Sequence, residues 1–281
     1  MSQWLIGLVL ATAVLHASWN AVLRHGRDRL WTSALIAMGG GLASATVLPF
    51  LPWPSRASLP FMAASFAIHT VYRIFLAFAY RWGELGMVYP IARGSAPLLV
   101  TLGAAIFAGE HLGALALSAI ALICLGIGGL SQTSIAAAAP KRALAIAFAT
   151  GLSIATYTVV DGIGSRLSGN PFSYVCWLEA SEAVPWFAVL VATRGTLRSV
   201  QAAPGDGWRA LLGGAISIVA YALVVWAMSF GALGIVSALR ETSVVFAALI
   251  GWFFLGERWS WRRLAACGVI AGGIVALVLL R

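Results

Sequence analysis

Apolar residues run along this chain in ten long stretches, each closed by a short polar or charged break. The stretches cover residues 3–23, 30–51, 58–80, 85–108, 112–130, 143–162, 171–192, 208–228, 232–254 and 261–280. A helix of about 20 apolar residues spans the hydrocarbon core of a bilayer. The runs do not alternate as strand residues do, and an unpaired strand leaves its backbone unsatisfied in lipid. The pattern therefore predicts an all-α membrane protein with ten transmembrane helices, here called spans 1 to 10.

The polar break at residues 131–142 divides the chain into two groups of five spans. Around span 4 the chain reads Gly83-Glu84-Leu85-Gly86, then Arg93, then Gly109-Glu110. Around span 9 it reads Gly231-Ala232-Leu233-Gly234, then Arg240, then Gly256-Glu257. Arg93 and Arg240, Glu110 and Glu257, Leu102 and Leu249, and Phe107 and Phe254 all fall at one offset of 147. Matching charged positions are harder to obtain by chance than matching apolar ones. The sequence thus predicts a duplication, with one repeat over 1–130, a linker over 131–142 and a second repeat over 143–281.

Five spans per repeat is an odd number, so the two repeats must insert upside down relative to each other. The basic residues agree with this. The odd-numbered loops hold Arg24, Arg27 and Arg29, then Arg81, Lys141 and Arg142, Arg194 and Arg198, and Arg258, Arg262 and Arg263. The even loops and the C-terminus hold only Arg56, Arg166 and Arg281. Positive residues stay on the cytoplasmic side, which places the odd loops inside and both termini outside.

Composition narrows the function classes. The 281 residues are 61% hydrophobic and 10% charged, with mean hydropathy +0.93. A soluble domain carries about 25% charged residues, so a water-soluble enzyme is excluded. The net charge of +9 would suggest nucleic acid in a soluble protein, but here it belongs to the loops, and no nucleic-acid partner is expected. All the basic residues except Lys141 are arginine, a bias that fits a GC-rich bacterial genome and hence an inner (plasma) membrane. Cys124, Cys176 and Cys267 lie singly in apolar runs, with neither disulfide nor metal spacing. Met1-Ser2-Gln3-Trp4 lacks the basic start of a signal peptide, so span 1 is expected to be retained.

The whole length resembles the EamA-type permeases of the drug/metabolite transporter superfamily. The resemblance rests on His16-Ala17-Ser18-Trp19-Asn20, on Tyr89-Pro90-Ile91-Ala92-Arg93-Gly94-Ser95-Ala96-Pro97, on the two Gly-Glu endings, and on Tyr157-Thr158-Val159-Val160-Asp161-Gly162. It implies a ten-helix inverted-repeat carrier with a central cavity lined mainly by spans 1, 3, 4, 6, 8 and 9. It also implies export or uptake of small metabolites, often amino acids. Such permeases commonly keep both termini in the cytoplasm, whereas the loop charges here favour the outside; we follow the charges.

Ionisable groups inside lipid need a partner or a wet cavity. The deep set is Arg73, Arg93, Glu179, Glu182, Arg240 and Glu241. Either these form ion pairs that clamp the two halves, or at least one arginine faces a solute. A guanidinium binds carboxylate or phosphonate through two parallel hydrogen bonds, which suits an anionic or zwitterionic cargo. In span 4, Pro90 and Pro97 bracket Gly94, and the missing N–H groups predict a kinked or partly unwound helix at the binding site. Tyr89 and Arg93 lie four apart on one face.

His16 and Asn20, with Trp19 beside them, His69 and Arg73, Ser153, Tyr157 and Asp161, and Ser217 and Tyr221 recur at helical spacing, with Trp226 farther along span 8. They fit a polar and aromatic cavity wall. The expected solute set is Arg93, Arg240, Tyr89, His16, Trp19, Asn20, Arg73, Tyr157, Tyr221 and Trp226. Glu182, Glu179, Glu241, His69 and Asp161 are candidates for proton coupling or ion pairing, because burial disfavours a carboxylate's charge and histidine titrates near neutrality. Asp161 lies near the predicted end of span 6 and is expected to meet water. Glu110 and Glu257, where spans 4 and 9 exit, read as capping or gating residues. Gly39-Gly40-Gly41 and Gly268-x-x-x-Gly272 both read first as internal packing, and span 10 could also serve a homodimer.

The reading is a secondary carrier that rocks its two halves around spans 4 and 9, with no cofactor and no metal. The chain has no GxxxxGK[ST] for a nucleotide, and no HExxH or GxSxG for an intramembrane enzyme. The alternatives are an intramembrane enzyme, or a lipid-carrier flippase or sensor on the same scaffold.

Overall fold

A computed structural model describes residues 2–25, 29–82, 85–130, 141–194, 206–255 and 260–279. Within these, the side chains at 24–25, 29–30, 73–74, 76–82, 85–90, 189–190, 193–194, 206, 251 and 254–255 lie outside the description. Among the described residues, 90% are helical and none lies in a strand.

The helices in chain order are α1 (Gln3–His25), α2 (Arg29–Val47), α3 (Leu59–Trp82), α4 (Leu85–Phe107), α5 (Ala114–Gly129) and α6 (Lys141–Leu167). They continue as α7 (Pro171–Arg194), α8 (Asp206–Met228), α9 (Leu233–Glu241), α10 (Ser243–Leu255) and α11 (Trp261–Leu279). Each predicted span has its helix, and span 9 is two helices, α9 and α10. Six described segments, in α1, α2, α6, α8, α9–α10 and α11, are long and apolar enough to cross a bilayer. The chain is a multi-pass membrane protein.

Two departures from the sequence reading matter for the site. Span 4 is expected to kink or partly unwind at its prolines; α4 stays helical without unwinding from Leu85 to Phe107. The interruption falls in span 9 instead, at Thr242, where the Thr242 N–H reaches back to Leu239 O at 3.2 Å and Val245 N–H to Thr242 O at 2.9 Å. These i to i+3 bonds tighten the chain between two helices, and the Thr242 hydroxyl also donates to Leu239 O at 2.6 Å. Pro97 removes one N–H from α4, but a single missing bond is tolerated where neighbours hold the helix.

The second departure is the length of α6, which runs past the expected boundary to Leu167. Its end is written in Gly169-Asn170-Pro171. Gly169 takes φ +77°, and Asn170 Oδ1 accepts from Phe172 and Ser173 N–H at 3.0 and 3.1 Å. Pro171 opens α7 where its missing N–H costs nothing.

Close approach of helices relies on glycine. A Cβ on Gly39 would lie 2.2 Å from Leu211 O, and one on Gly214 would lie 2.1 Å from Ile36 O, so α2 and α8 meet backbone to backbone. A Cβ on Gly41 would strike Ala183 of α7. The Gly39-Gly40-Gly41 patch is thus internal packing. Gly268 has nothing within 4 Å, whereas Gly126 and Gly273 make the tight α5–α11 contact. The main apolar core joins α1, α4, α5, α6, α8, α9, α10 and α11 around Val9, Val100, Ile120, Ile123, Leu233 and Leu239.

Candidate functional site

Two polar groups are buried among these helices. The first is a triad. Arg93 Nη1 of α4 donates to both carboxylate oxygens of Glu241 at 3.1 and 3.0 Å. Arg240 of α9 donates to Glu241 Oε1 from Nε at 3.2 Å and from Nη2 at 2.9 Å. All three are buried, and Glu241 is fully enclosed. Two guanidinium groups therefore share one carboxylate. Arg240 Nη1 makes no hydrogen bond among the described residues.

At the 147-residue offset, the position matching Glu241 is Gly94. A Cβ there would stand 3.3 Å from Cys124 O and 3.4 Å from Gly128 N, a tight fit against α5 that suits glycine.

His16 of α1 extends the triad, with Nε2 at 2.8 Å from Arg93 Nη2. Its Nδ1 lies 3.2 Å from the Trp19 indole nitrogen. Guanidinium and indole nitrogens only donate, and a neutral imidazole has one accepting nitrogen. His16 can therefore accept from Arg93 or from Trp19, but not from both at once. Asn20 is turned back on its own helix, donating to His16 O at 2.7 Å.

The second group is acidic and aromatic. His69 Nδ1 of α3 lies 3.0 Å from Ser65 Oγ, 3.1 Å from Ser65 O and 3.2 Å from Glu182 Oε1. The Ser65 carbonyl only accepts, so Nδ1 carries the proton. The His69 ring stacks on Tyr157 at 4.1 Å and meets Tyr221 edge-on at 6.2 Å. Tyr157 in turn meets Tyr72 edge-on at 5.6 Å. Asp161 does not reach water as expected. The added length of α6 buries it completely, and it accepts hydrogen bonds from Tyr174 at 2.9 Å and from Tyr221.

Tyr157 and Tyr221 stand between the two groups, within electrostatic reach of Arg240. The hydroxyls of Tyr72 and Tyr157 make no hydrogen bond among the described residues. Glu179 faces α2, its Oε2 3.5 Å from where a Gly40 Cβ would stand. Trp226 is separate. It packs with Trp4, Phe172 and Phe230 at the end where α1 begins and α8 ends. The side chains of Tyr89 and Arg73, and the whole of Glu257, lie outside the described residues. Among the described residues, no group of three His, Cys, Asp or Glu side chains could hold a metal ion.

Sequence reasoning missed Ser65, Tyr72 and Tyr174. Ser65 and Tyr72 were findable, standing four before and three after His69 on one helical face. Tyr174 had no such signal. It reaches Asp161 across Gly164, where a Cβ would come within 2.7 Å of the Tyr174 ring and hydroxyl.

Ionisable residues buried inside a membrane bundle mark a functional site, and here one such arginine stands on each side of the internal linker. Residues 141–279, just under half of the chain, match the model of the EamA-like transporter family, which fits an EamA-type permease of the drug/metabolite transporter superfamily and supports a membrane transporter. A crystal structure described only as that of a protein aligns over 100% of both chains with TM-score 0.80 and 18% sequence identity, a likeness of fold. No curated protein matches the sequence.

Proposed function

We propose that the chain is a secondary carrier of a small anionic or zwitterionic metabolite, such as an amino acid or a phosphonate-like solute. The observation that carries this reading is the pair Arg93 and Arg240 converging on the single carboxylate of Glu241, with Arg240 Nη1 not engaged by it. Burying guanidinium groups is costly unless negative charge compensates them. An incoming carboxylate or phosphonate supplies that charge and can accept from a guanidinium in bidentate fashion. Asp161, His69 and the tyrosines beside it would receive the ammonium end of a zwitterion.

We take the architecture as ten spans in two inverted five-helix repeats, with alternating access by rocking around α4 and α9–α10. Packing supports this. Under the repeat, the α3–α6 contact corresponds to α8–α1, and α4–α6 corresponds to α9 and α10 against α1. The α2–α7 and α5–α11 pairs correspond to themselves. The loop charges favour both termini outside, and the arginine-rich composition fits a bacterial inner membrane.

The test is uptake of labelled amino acids and phosphonates into vesicles reconstituted with the purified protein. Saturable uptake that is lost in both Arg93→Ala and Arg240→Ala, with each variant still inserted and folded, is the expected result. Normal uptake by both variants would reject the arginine site.

A further inference from the structure

We propose that Glu110 and Arg166 form a latch that ties the bundle shut at the end where α1 begins and positions Arg240 and Glu241 through α9. Its functional meaning rests on the carrier reading, but its geometry does not depend on what is carried.

Glu110 is held firmly. Gly109 turns the chain at φ +66°, and the N–H groups of Ala108 and Glu110 both donate to Ala104 O, at 2.9 and 3.1 Å. From there the carboxylate reaches into the second half of the chain. Oε1 accepts from Arg166 Nη2 at 2.7 Å, and Oε2 accepts from the Leu233 N–H at 2.8 Å. Leu233 opens α9, and the preceding Ala232 offers no side-chain cap. Glu110 therefore caps α9 from another helix, where its negative charge also suits the N-terminal dipole.

Arg166 secures the other side. Its Nε donates to Met228 O at 2.9 Å and its Nη2 to Gly231 O at 2.9 Å, satisfying carbonyls left open where α8 ends. The pair thus ties the exit of α4, the end of α6 and the α8–α9 turn together. The first turn of α9 also sits against α4 and α6 with no slack. A Cβ on Gly234 would lie 2.2 Å from Thr101 Oγ1, and one on Gly162 would lie 2.4 Å from Leu233.

From Leu233, α9 is a single rigid piece that ends in Arg240 and Glu241. A shift at its start must therefore move both members of the buried triad. The ion pair lies at the rim, with side chains 31% and 15% exposed, so water can replace it when it opens. A fully enclosed pair could not be exchanged in this way.

The test reads thiol accessibility in lipid nanodiscs, using a membrane-impermeant maleimide. The reporter is Val236→Cys, fully buried one turn into α9, in a chain with Cys124, Cys176 and Cys267 replaced by Ala. The control reporter is Ala143→Cys, fully buried at the start of α6. Glu110→Ala should speed labelling at position 236 by about ten- to a hundredfold, the range set by a lost charge-assisted hydrogen bond, and leave position 143 unchanged. Glu110→Gln should fall between, because its one carbonyl oxygen replaces two acceptors. Arg166→Gln provides the same test if Glu110→Ala does not fold. Unchanged labelling at 236, or an equal rise at both reporters, would overturn the latch.

Discussion

Arg93 and Arg240, 147 residues apart, donate to the same carboxylate, that of Glu241. The arrangement makes the three residues unequal. Glu241→Gln leaves two guanidinium groups facing each other in a buried place, whereas Arg240→Gln leaves one matched pair. Breaking a buried ion pair by removing one partner costs about 3–5 kcal/mol. Thermal unfolding in detergent should show Glu241→Gln at the upper end of that range and Arg240→Gln well below it. Equal losses would mean that the triad is not held by charge.

Gly164 is expected to act through Tyr174. A methyl group there would displace the ring that donates to Asp161, so Gly164→Ala should cost about 1–3 kcal/mol. In Tyr174→Ala the clash with the ring is gone and only the Phe61 Cβ, also 2.7 Å away, remains, so the same glycine substitution should then cost clearly less. Thermal unfolding of the single and double variants checks this. Additive losses would place the strain elsewhere.

The contact between His69 and Glu182 links α3 to α7, and a proton bound there would couple transport to pH. On this account uptake by the wild-type protein varies between about pH 5 and pH 8, the range in which histidine responds. Glu182→Gln should flatten that profile while uptake at its best pH persists. A variant that keeps the full pH dependence would remove Glu182 from coupling.

Much of the fold could be read from the sequence because lipid permits few alternatives. Ten apolar runs and the Gly-Glu endings located the helices and tied Arg93 to Arg240 before any contact was known. The contacts themselves were not legible. Span 4 carried the prolines, yet the break lies at Thr242, because a helix tolerates a missing N–H when packed and can tighten without any proline. Asp161 looked like an end residue only because Ile163 to Leu167 lacks a continuous apolar signal. Trp226 had the right spacing but the wrong depth, lying five residues nearer the end of α8 than Tyr221. The role of Glu110 as a cap for α9 joins residues 123 apart, and nothing local in the sequence reports it.

The most direct measurement is thermal stabilisation of the purified protein by a panel of carboxylates, phosphonates, amino acids and organic cations. Binding raises stability by mass action, by about 2.7 kcal/mol at a hundredfold excess over Kd. The account expects at least one solute bearing a carboxylate or phosphonate to stabilise the wild-type protein and to lose that effect in Arg93→Gln and in Arg240→Gln. Stabilisation by organic cations alone, or an anion effect that survives in both variants, would contradict it.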